Sequence, residues 1–248
     1  MIMKRLTSFL AISVLTVALI TGCSNTEPAN QPAPTNQSES SVAEIKTMSG
    51  ADLVKQNSAK EKDKVLIIDV RSPEEYKAGH IANAVNMNIE GFEERIGEIE
   101  DLKEFPIILY CNSGKKSGDV AKILVENGFK DVTNADGVKN FEYDLVHYED
   151  VRGANFQNLI DENKDIVLVD VRPEKQASEE GMIAGAINVP FDAVESNLDK
   201  LPQDKTIALY CNTGTKSAEV AQNLESLGYT NVVNSIEGVK EFSFELIK

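Results

Sequence analysis

The sequence LYCNSGKKSGDVAKIL spans residues 109–124, and LYCNTGTKSAEVAQNL spans 209–224. Each opens on the end of an apolar run, IILYC or IALYC, whose length and composition suit a strand buried on both faces. Each then crosses a short polar stretch into apolar residues at helical spacing. In the first copy these are Val120, Ala121, Leu124 and Val125, closed by Asn127-Gly128. The order strand, cysteine, loop, helix therefore occurs twice, and the spacing predicts helices starting near Ser117 and Ser217.

The duplication extends outward from the cysteines. VLIIDVRSPEEYKAGHIANAVNM (65–87) matches IVLVDVRPEKQASEEGMIAGAINV (166–189), and FPIILYCNSGKKSGDVAKILVENGFKDVTNADGVKNFEYDL (105–145) matches KTIALYCNTGTKSAEVAQNLESLGYTNVVNSIEGVKEFSFEL (205–246). A period of about a hundred residues is far longer than solenoid repeats and signifies a duplicated domain. We expect domain 1 over 43–147 and domain 2 over 150–248. The junction His147-Tyr148-Glu149-Asp150 is not rich in Pro, Gly or Ser, so the two are expected to pack together.

Inside the first unit, Val65–Val70 is an apolar run of strand length. Ser72-Pro73-Glu74-Glu75 predicts a helix start with Ser72 as N-cap and Glu75 closing a capping box. A short strand is expected over Ala84–Asn88, a helix over Gly91–Glu100 and a buried strand over Pro106–Tyr110. A further short strand is expected at Val132, and a helix from Val138 to about Val146. Alternation of strands with helices predicts an α/β fold, a mostly parallel sheet with helices on both faces, built twice.

The chain has 248 residues, 42 % of them hydrophobic, and a net charge of −15. That length suits two modest domains. So acidic a body argues against a nucleic-acid partner, because binding it requires Lys and Arg to displace counterions. It equally disfavours electrostatic binding to anionic lipid. An anionic substrate must be held by local donors.

The N-terminus reads as an export signal. Lys4 and Arg5 precede the apolar run Phe9–Ile20, followed by Thr21-Gly22-Cys23. The run is short for a membrane span. The ending ITGC resembles the lipobox of bacterial lipoproteins, which implies a signal peptide over 1–22 and lipid on Cys23. Residues up to 42 are polar and rich in Pro, Asn and Ser, as expected of a tether. The expected location is the extracytoplasmic face of a bacterial membrane, with contact to the membrane through the lipid.

Cys111 and Cys211 remain. To form a disulfide their Cα atoms would have to lie within about 6 Å of each other. At equivalent places in separate domains they are expected as free thiols. Each lies beyond the carboxyl end of a strand, where open α/β sheets bind ligands. The five residues that follow, Asn112, Ser113, Gly114, Lys115 and Lys116 or Asn212, Thr213, Gly214, Thr215 and Lys216, can turn backbone N–H groups inward as an anion-binding nest. Ser117 and Ser217 open the helices, whose N-terminal dipoles favour a thiolate. Lys116 and Lys216 add full charges. These loops are not P-loops, for the first glycine of that motif is missing. No metal or cofactor is indicated.

Each half resembles the rhodanese domain. The resemblance rests on Asp69-Val70-Arg71 and Asp170-Val171-Arg172, on Gly79-His80-Ile81 with Ala84-Val85-Asn86, on Gly185-Ala186-Ile187-Asn188-Val189-Pro190, and on the two cysteine loops. It implies a sulfurtransferase: the thiolate takes a sulfane sulfur from a small anionic donor such as thiosulfate or polysulfide. It then passes that sulfur from a persulfide to a thiol, sulfite or cyanide acceptor. This chain departs from the family's common pattern in carrying Lys rather than Arg at the fifth position after each cysteine. Phe141 and Phe242 follow its late glycines where Trp is common, Met182 stands where the first copy has His80, and both halves keep the cysteine. A cysteine phosphatase or arsenate reductase would place Arg six positions after the cysteine, where Ser117 and Ser217 stand. A binding or redox-sensing module whose thiols are not turned over is the alternative from another class. His80 is expected to hold its turn, Arg71 and Arg172 to pair with acidic neighbours, Asp69 and Asp170 to act as local scaffolding, and His147 has no assigned role.

Overall fold

The computed structural model describes residues 43–248. The expected signal peptide, Cys23 and the rest of the tether up to 42 lie outside the described residues. The first half runs β1 (Lys46–Met48), α1 (Gly50–Gln56), β2 (Leu66–Asp69), α2 (Pro73–Lys77), β3 (His80–Ile81), β4 (Ala84–Asn86), α3 (Phe92–Arg95), β5 (Ile107–Tyr110), α4 (Lys115–Glu126), β6 (Val132–Ala135) and β7 (Leu145–Val146). The second half repeats the order as β8 (Glu149–Val151), α5 (Gly153–Glu162), β9 (Ile166–Asp170), α6 (Glu174–Glu180), β10 (Met182–Ile183), β11 (Ile187–Asn188), β12 (Thr206–Tyr210), α7 (Thr215–Ser226), β13 (Val232–Ser235) and β14 (Leu246–Ile247).

Each half holds a parallel sheet of 5 strands, in the orders β1-β6-β5-β2-β4 and β11-β9-β12-β13-β8. The expected α/β class holds for both. Short antiparallel pairs, β3 with β7 and β10 with β14, fasten each half's last strand to the turn after α2 or α6. The strands alternate between two cores. Leu66, Ile68, Ile107 and Leu109 face the core that α4 covers, whereas Ile67, Ile108 and Tyr110 face the core that α1 covers. Strands so covered on both faces read as unbroken apolar runs, which is why the sequence pattern located them.

Three expectations about local structure need correction. The helices α4 and α7 start at Lys115 and Thr215, two residues earlier than the spacing predicts. Gly114 and Gly214, at φ 80° and 74°, turn the chain straight into the helix through the left-handed region that glycine enters freely. Over 91–100 only Phe92–Arg95 is α-helical, and Ile96–Leu102 is a 3-10 helix. Its buried Ile96 and Ile99 lie three apart, the repeat of that tighter turn. No helix forms over 138–146. Residues 137–141 make a turn, Phe141 and Tyr143 enter the core beside α1, and β7 pairs with β3. The capping box at α2 forms as expected, with Ser72 accepting from the Glu75 N–H and Glu75 accepting from the Ser72 N–H.

The halves pack as one unit. Edge strand β4 lies against edge strand β8. There the buried Asp150 accepts from the Asn83 N–H at 2.6 Å, and Tyr76 Oη accepts from the Asp150 N–H at 3.1 Å. Arg152 reaches the Glu98 carbonyl at 2.7 Å and pairs with Asp101. Ala82, from the first half, packs into the second core.

Candidate active site

Each cysteine follows the middle strand of its sheet, and the residue is 2 % exposed at Cys111 and 3 % at Cys211. Both are free. The loop between cysteine and helix is three residues long, so Lys115, Lys116 and Ser117 form the first turn of α4, and Thr215, Lys216 and Ser217 that of α7. This shortening brings the buried Ser117 hydroxyl to 3.3 Å from Cys111 Sγ, and the Ser217 hydroxyl to 3.5 Å from Cys211 Sγ.

A turn late in each half clamps the loop from outside. The Val138 and Lys139 N–H groups donate to the Cys111 and Asn112 carbonyls at 3.0 and 2.9 Å, and Val239 and Lys240 do the same for Cys211 and Asn212 at 3.0 Å each. Glycine is required at the contact. A Cβ on Gly137 would stand 2.4 Å from the Asn112 carbonyl carbon, and one on Gly238 2.1 Å from that of Asn212.

Burial pushes the Cys111 thiol pKa up. The Ser117 hydroxyl and the backbone N–H groups of Ser117, Ser113 and Gly114 more than offset this, and hold it below the ordinary cysteine value. The stabilisation comes from a nest of N–H donors and one hydroxyl. A serine hydroxyl has one proton to give. At Ser117 that proton can face Asn134 Oδ1, 2.7 Å away, or Cys111 Sγ. At Ser217 the choice lies between the Gly214 carbonyl, 3.0 Å away, and Cys211 Sγ. Each serine can therefore turn its proton to the sulfur as negative charge develops there.

The flanking groups differ. Asn112 donates to Glu75 at 2.7 Å, and that bond, with a smaller contribution from nearby Lys116, holds the Glu75 carboxyl below its usual range despite burial. Asn212 instead exchanges two hydrogen bonds with Gln176, at 2.9 and 3.1 Å. Asn134 braces the first loop through the Gly114 carbonyl at 2.9 Å, while its counterpart Asn234 turns to Asp150 at 2.7 Å. Lys115 and Lys116 are exposed beside Cys111. Lys216 pairs with Glu219 at 2.6 Å and sits 4.8 Å from the centre of the Phe191 ring. Ser113 is exposed, and Thr213 faces Thr215 with their hydroxyls 3.4 Å apart.

The scaffold residues fall where expected. Arg71 forks onto Asp69 and donates to the Gly79 carbonyl, and Arg172 repeats this with Asp170 and Gly181, adding Glu180. The buried His80 holds its turn, with Nδ1 3.1 Å from the Tyr76 carbonyl and its ring stacked on Tyr76. His147 pairs with Glu225 on the surface. Among the described residues no group of three His, Cys, Asp or Glu side chains could hold a metal ion. Clefts of about 440 and 630 Å³ run along the domain joint, lined by residues such as Tyr76, Lys77 and Leu159, away from both cysteine loops. Glu75, Asn134, Gln176, Gly137 and Gly238 join the site without having been singled out from sequence as parts of it. The repeated Val-x-Asn and Gly-Val-Lys patterns were the available signal.

The Rhodanese-like domain family matches residues 51–139 and 154–245, and the chain belongs to that family. Thiosulfate sulfurtransferase PspE of Escherichia coli (strain K12) is 40 % identical over 73 residues, which are 29 % of this chain and 70 % of that protein. Thiosulfate sulfurtransferase GlpE of Coxiella burnetii is 37 % identical over 84 residues, 34 % of this chain and 75 % of the relative. The tRNA uridine(34) hydroxylase of Cytophaga hutchinsonii is 37 % identical over 81 residues, but the match spans only 26 % of that protein and 32 % of this chain. Among solved structures, a rhodanese with anions from E. coli is 36 % identical and covers 33 % of this chain and 96 % of its own, with a TM-score of 0.31.

Proposed function

We propose that this protein is a sulfurtransferase with two cysteine sites, Cys111 and Cys211, carried by domains over 43–147 and 150–248. The observation that carries the reading is the Cys111 thiol set among backbone N–H donors in a loop that the second half repeats, the surroundings a sulfur nucleophile needs when its substrate is an anion. Kinship with two thiosulfate sulfurtransferases supports it. The thiolate attacks the outer sulfur of thiosulfate. A Cys Sγ–S bond forms, the S–S bond of the donor breaks, and sulfite leaves with the electron pair. In the second step a thiolate, sulfite or cyanide attacks the terminal sulfur of the persulfide and the cysteine thiolate departs. Neither step needs an external oxidant, and the nest holds the negative charge that returns to Sγ. The residues of both loops, Asn112 to Ser117 and Asn212 to Ser217, would cradle the donor.

The basic leader, the apolar run and Cys23 support an extracytoplasmic, lipid-anchored location, which incorporation of labelled palmitate in the wild type and its loss in Cys23→Ser would check. The catalytic reading is tested by peptide-resolved mass after exposure to thiosulfate or polysulfide. We expect a reducible gain of one sulfur at each cysteine, and in Cys111→Ser or Cys211→Ser a gain at the remaining one. No gain with any donor, while both thiols still alkylate, would sink the reading in favour of a non-catalytic binding module.

A further inference from the structure

The second loop has a partner from the other half of the molecule. Lys62 lies in the 3-10 turn between α1 and β2, in a run of charged residues, KEKDK, that reads as solvated surface. It is instead 7 % exposed. Its ammonium donates to the Thr213 carbonyl at 2.6 Å, contacts the Ile236 carbonyl at 3.4 Å and pairs with Asp63. Three donors meet three acceptors, the condition under which a charge can be buried.

The place of the contact gives it meaning. The Thr213 carbonyl and the Gly214 N–H belong to one peptide group. Gly114 and Gly214 share the same left-handed conformation at the same point of the repeat, and the Gly114 N–H is among the donors on the Cys111 sulfur. Lys62 thus grips the carbonyl end of the peptide whose N–H end corresponds to that donor in the repeat. The second half also carries one extra residue before its clamping turn, Ser235-Ile236-Glu237-Gly238 against Ala135-Asp136-Gly137. That residue brings the Ile236 and Ser235 carbonyls to 2.3 and 2.7 Å from where a Cβ on Gly214 would stand, while the atoms nearest the same point on Gly114 are 3.8 and 4.0 Å away. Carbonyl oxygens crowded onto an anion-binding loop oppose its purpose, and a cation placed among them offsets their field.

We infer that Lys62 is a positioning residue for the Cys211 site: domain 1 supplies the cation that fixes the Thr213–Gly214 peptide and keeps the second nest attractive to anions. This rests on the reading of the Cys211 loop as an anion-binding nucleophile loop. The Cys111 loop has its own brace in Asn134 and no such dependence.

The test compares alkylation by iodoacetate, an anion, with alkylation by neutral iodoacetamide, resolved by peptide for each cysteine of the full-length chain in detergent. The ratio of the two rates reads the nest, and a general loss of stability leaves it unchanged. In Lys62→Met we expect the ratio at Cys211 to fall about three- to tenfold, the size of one net hydrogen bond, with the ratio at Cys111 unchanged. Lys62→Arg, which keeps charge and donors, should retain most of the wild-type ratio. An unchanged ratio at Cys211 in Lys62→Met, equal falls at both cysteines, or equal loss in Lys62→Arg and Lys62→Met would overturn the inference. If Lys62→Met does not fold, Lys62→Gln, which keeps a donor without charge, is read by the same criteria. Absence of persulfide in the wild type, with this asymmetry intact, would count against sulfur transfer and leave the role of Lys62 standing.

Discussion

The two cysteine loops nearly superimpose in sequence and differ in what holds them. The first is braced from within its own half, by Asn134 behind and Glu75 at the side. The second lends its corresponding asparagine to the domain joint, takes Gln176 at its side, and is gripped from behind by Lys62 of the other half. Duplication kept the cysteine, glycine and helix-opening serine of each loop and let the supports diverge. The first site is self-contained, whereas the second is completed by its neighbour.

The largest effect should come from the buried arginines. Removing one partner of a buried ion pair costs about 3–5 kcal/mol, because the other charge is left behind. Arg172 is wholly buried and adds Glu180 to its partners, whereas Arg71 does not. Urea denaturation should show Arg172→Met losing at least as much stability as Arg71→Met. A smaller loss at Arg172 would break the comparison.

The joint itself should reveal two opposed titrations. Burial holds His80 down at about 4, against an ordinary 6.5. The unfolded imidazole takes a proton as pH falls through 6.5 and the folded one does not, so stability is present above 6.5 and lost on the way down to about 4. Burial raises the Asp150 carboxyl from 3.8 to about 7, so its stability is present below 3.8 and lost as pH rises towards 7. Between these limits the slopes oppose each other in the wild type. Asp150→Asn should uncover the histidine slope, a loss on the order of 2–3 kcal/mol from pH 6.5 down to 4. His80→Gln should uncover the reverse. Urea midpoints at pH 4.5 and pH 7 read both, and flat profiles in both variants would contradict the assignment.

The clamping glycines come next. Gly137→Ala and Gly238→Ala each force a Cβ into the loop backbone, an overpacking worth roughly 1–3 kcal/mol. Each should slow alkylation of the cysteine in its own half. Slowing at both cysteines from either change would mean that the halves are less independent than their clamps suggest. The smallest effect belongs to Ser117→Ala, which removes one of several donors to Cys111 and should raise its thiol pKa. The linkage sign is that of a depressed group: the fold gains from the thiolate at high pH and loses that gain as pH falls through the folded value. Iodoacetamide labelling of Cys111 near neutral pH should slow by about three- to tenfold, the size of one net hydrogen bond. Ser217→Ala, with the longer contact to sulfur, should slow Cys211 less.

Much of this was legible in the chain. Unbroken apolar runs such as Val65–Ile68, of strand length and rich in β-branched residues, read as strands covered on both faces, and Ser72-Pro73-Glu74-Glu75 carries its helix start in local chemistry. The cysteine loops announced themselves by repetition. What stayed hidden depends on distant partners. The spacing of Val138, Phe141 and Val146 suggests a helix, yet Gly137 must lie flat on Asn112 and Phe141 fills the space over Gly50, and these contacts break it. Asn134 and Asn234 are the same letter at the same register and bond different things. Lys62 looks like any lysine in a charged run until the second half folds around it.

The burial of both sulfurs has a consequence for handling. A cysteine so buried is screened from bulky oxidants and from other proteins' thiols, so idle sites resist scrambling. Under the proposed transfer, a sulfur atom added to either one would stand one bond further out than its carrier. The empty site would thereby be concealed and the loaded site displayed, and an acceptor would tell the two apart by reach.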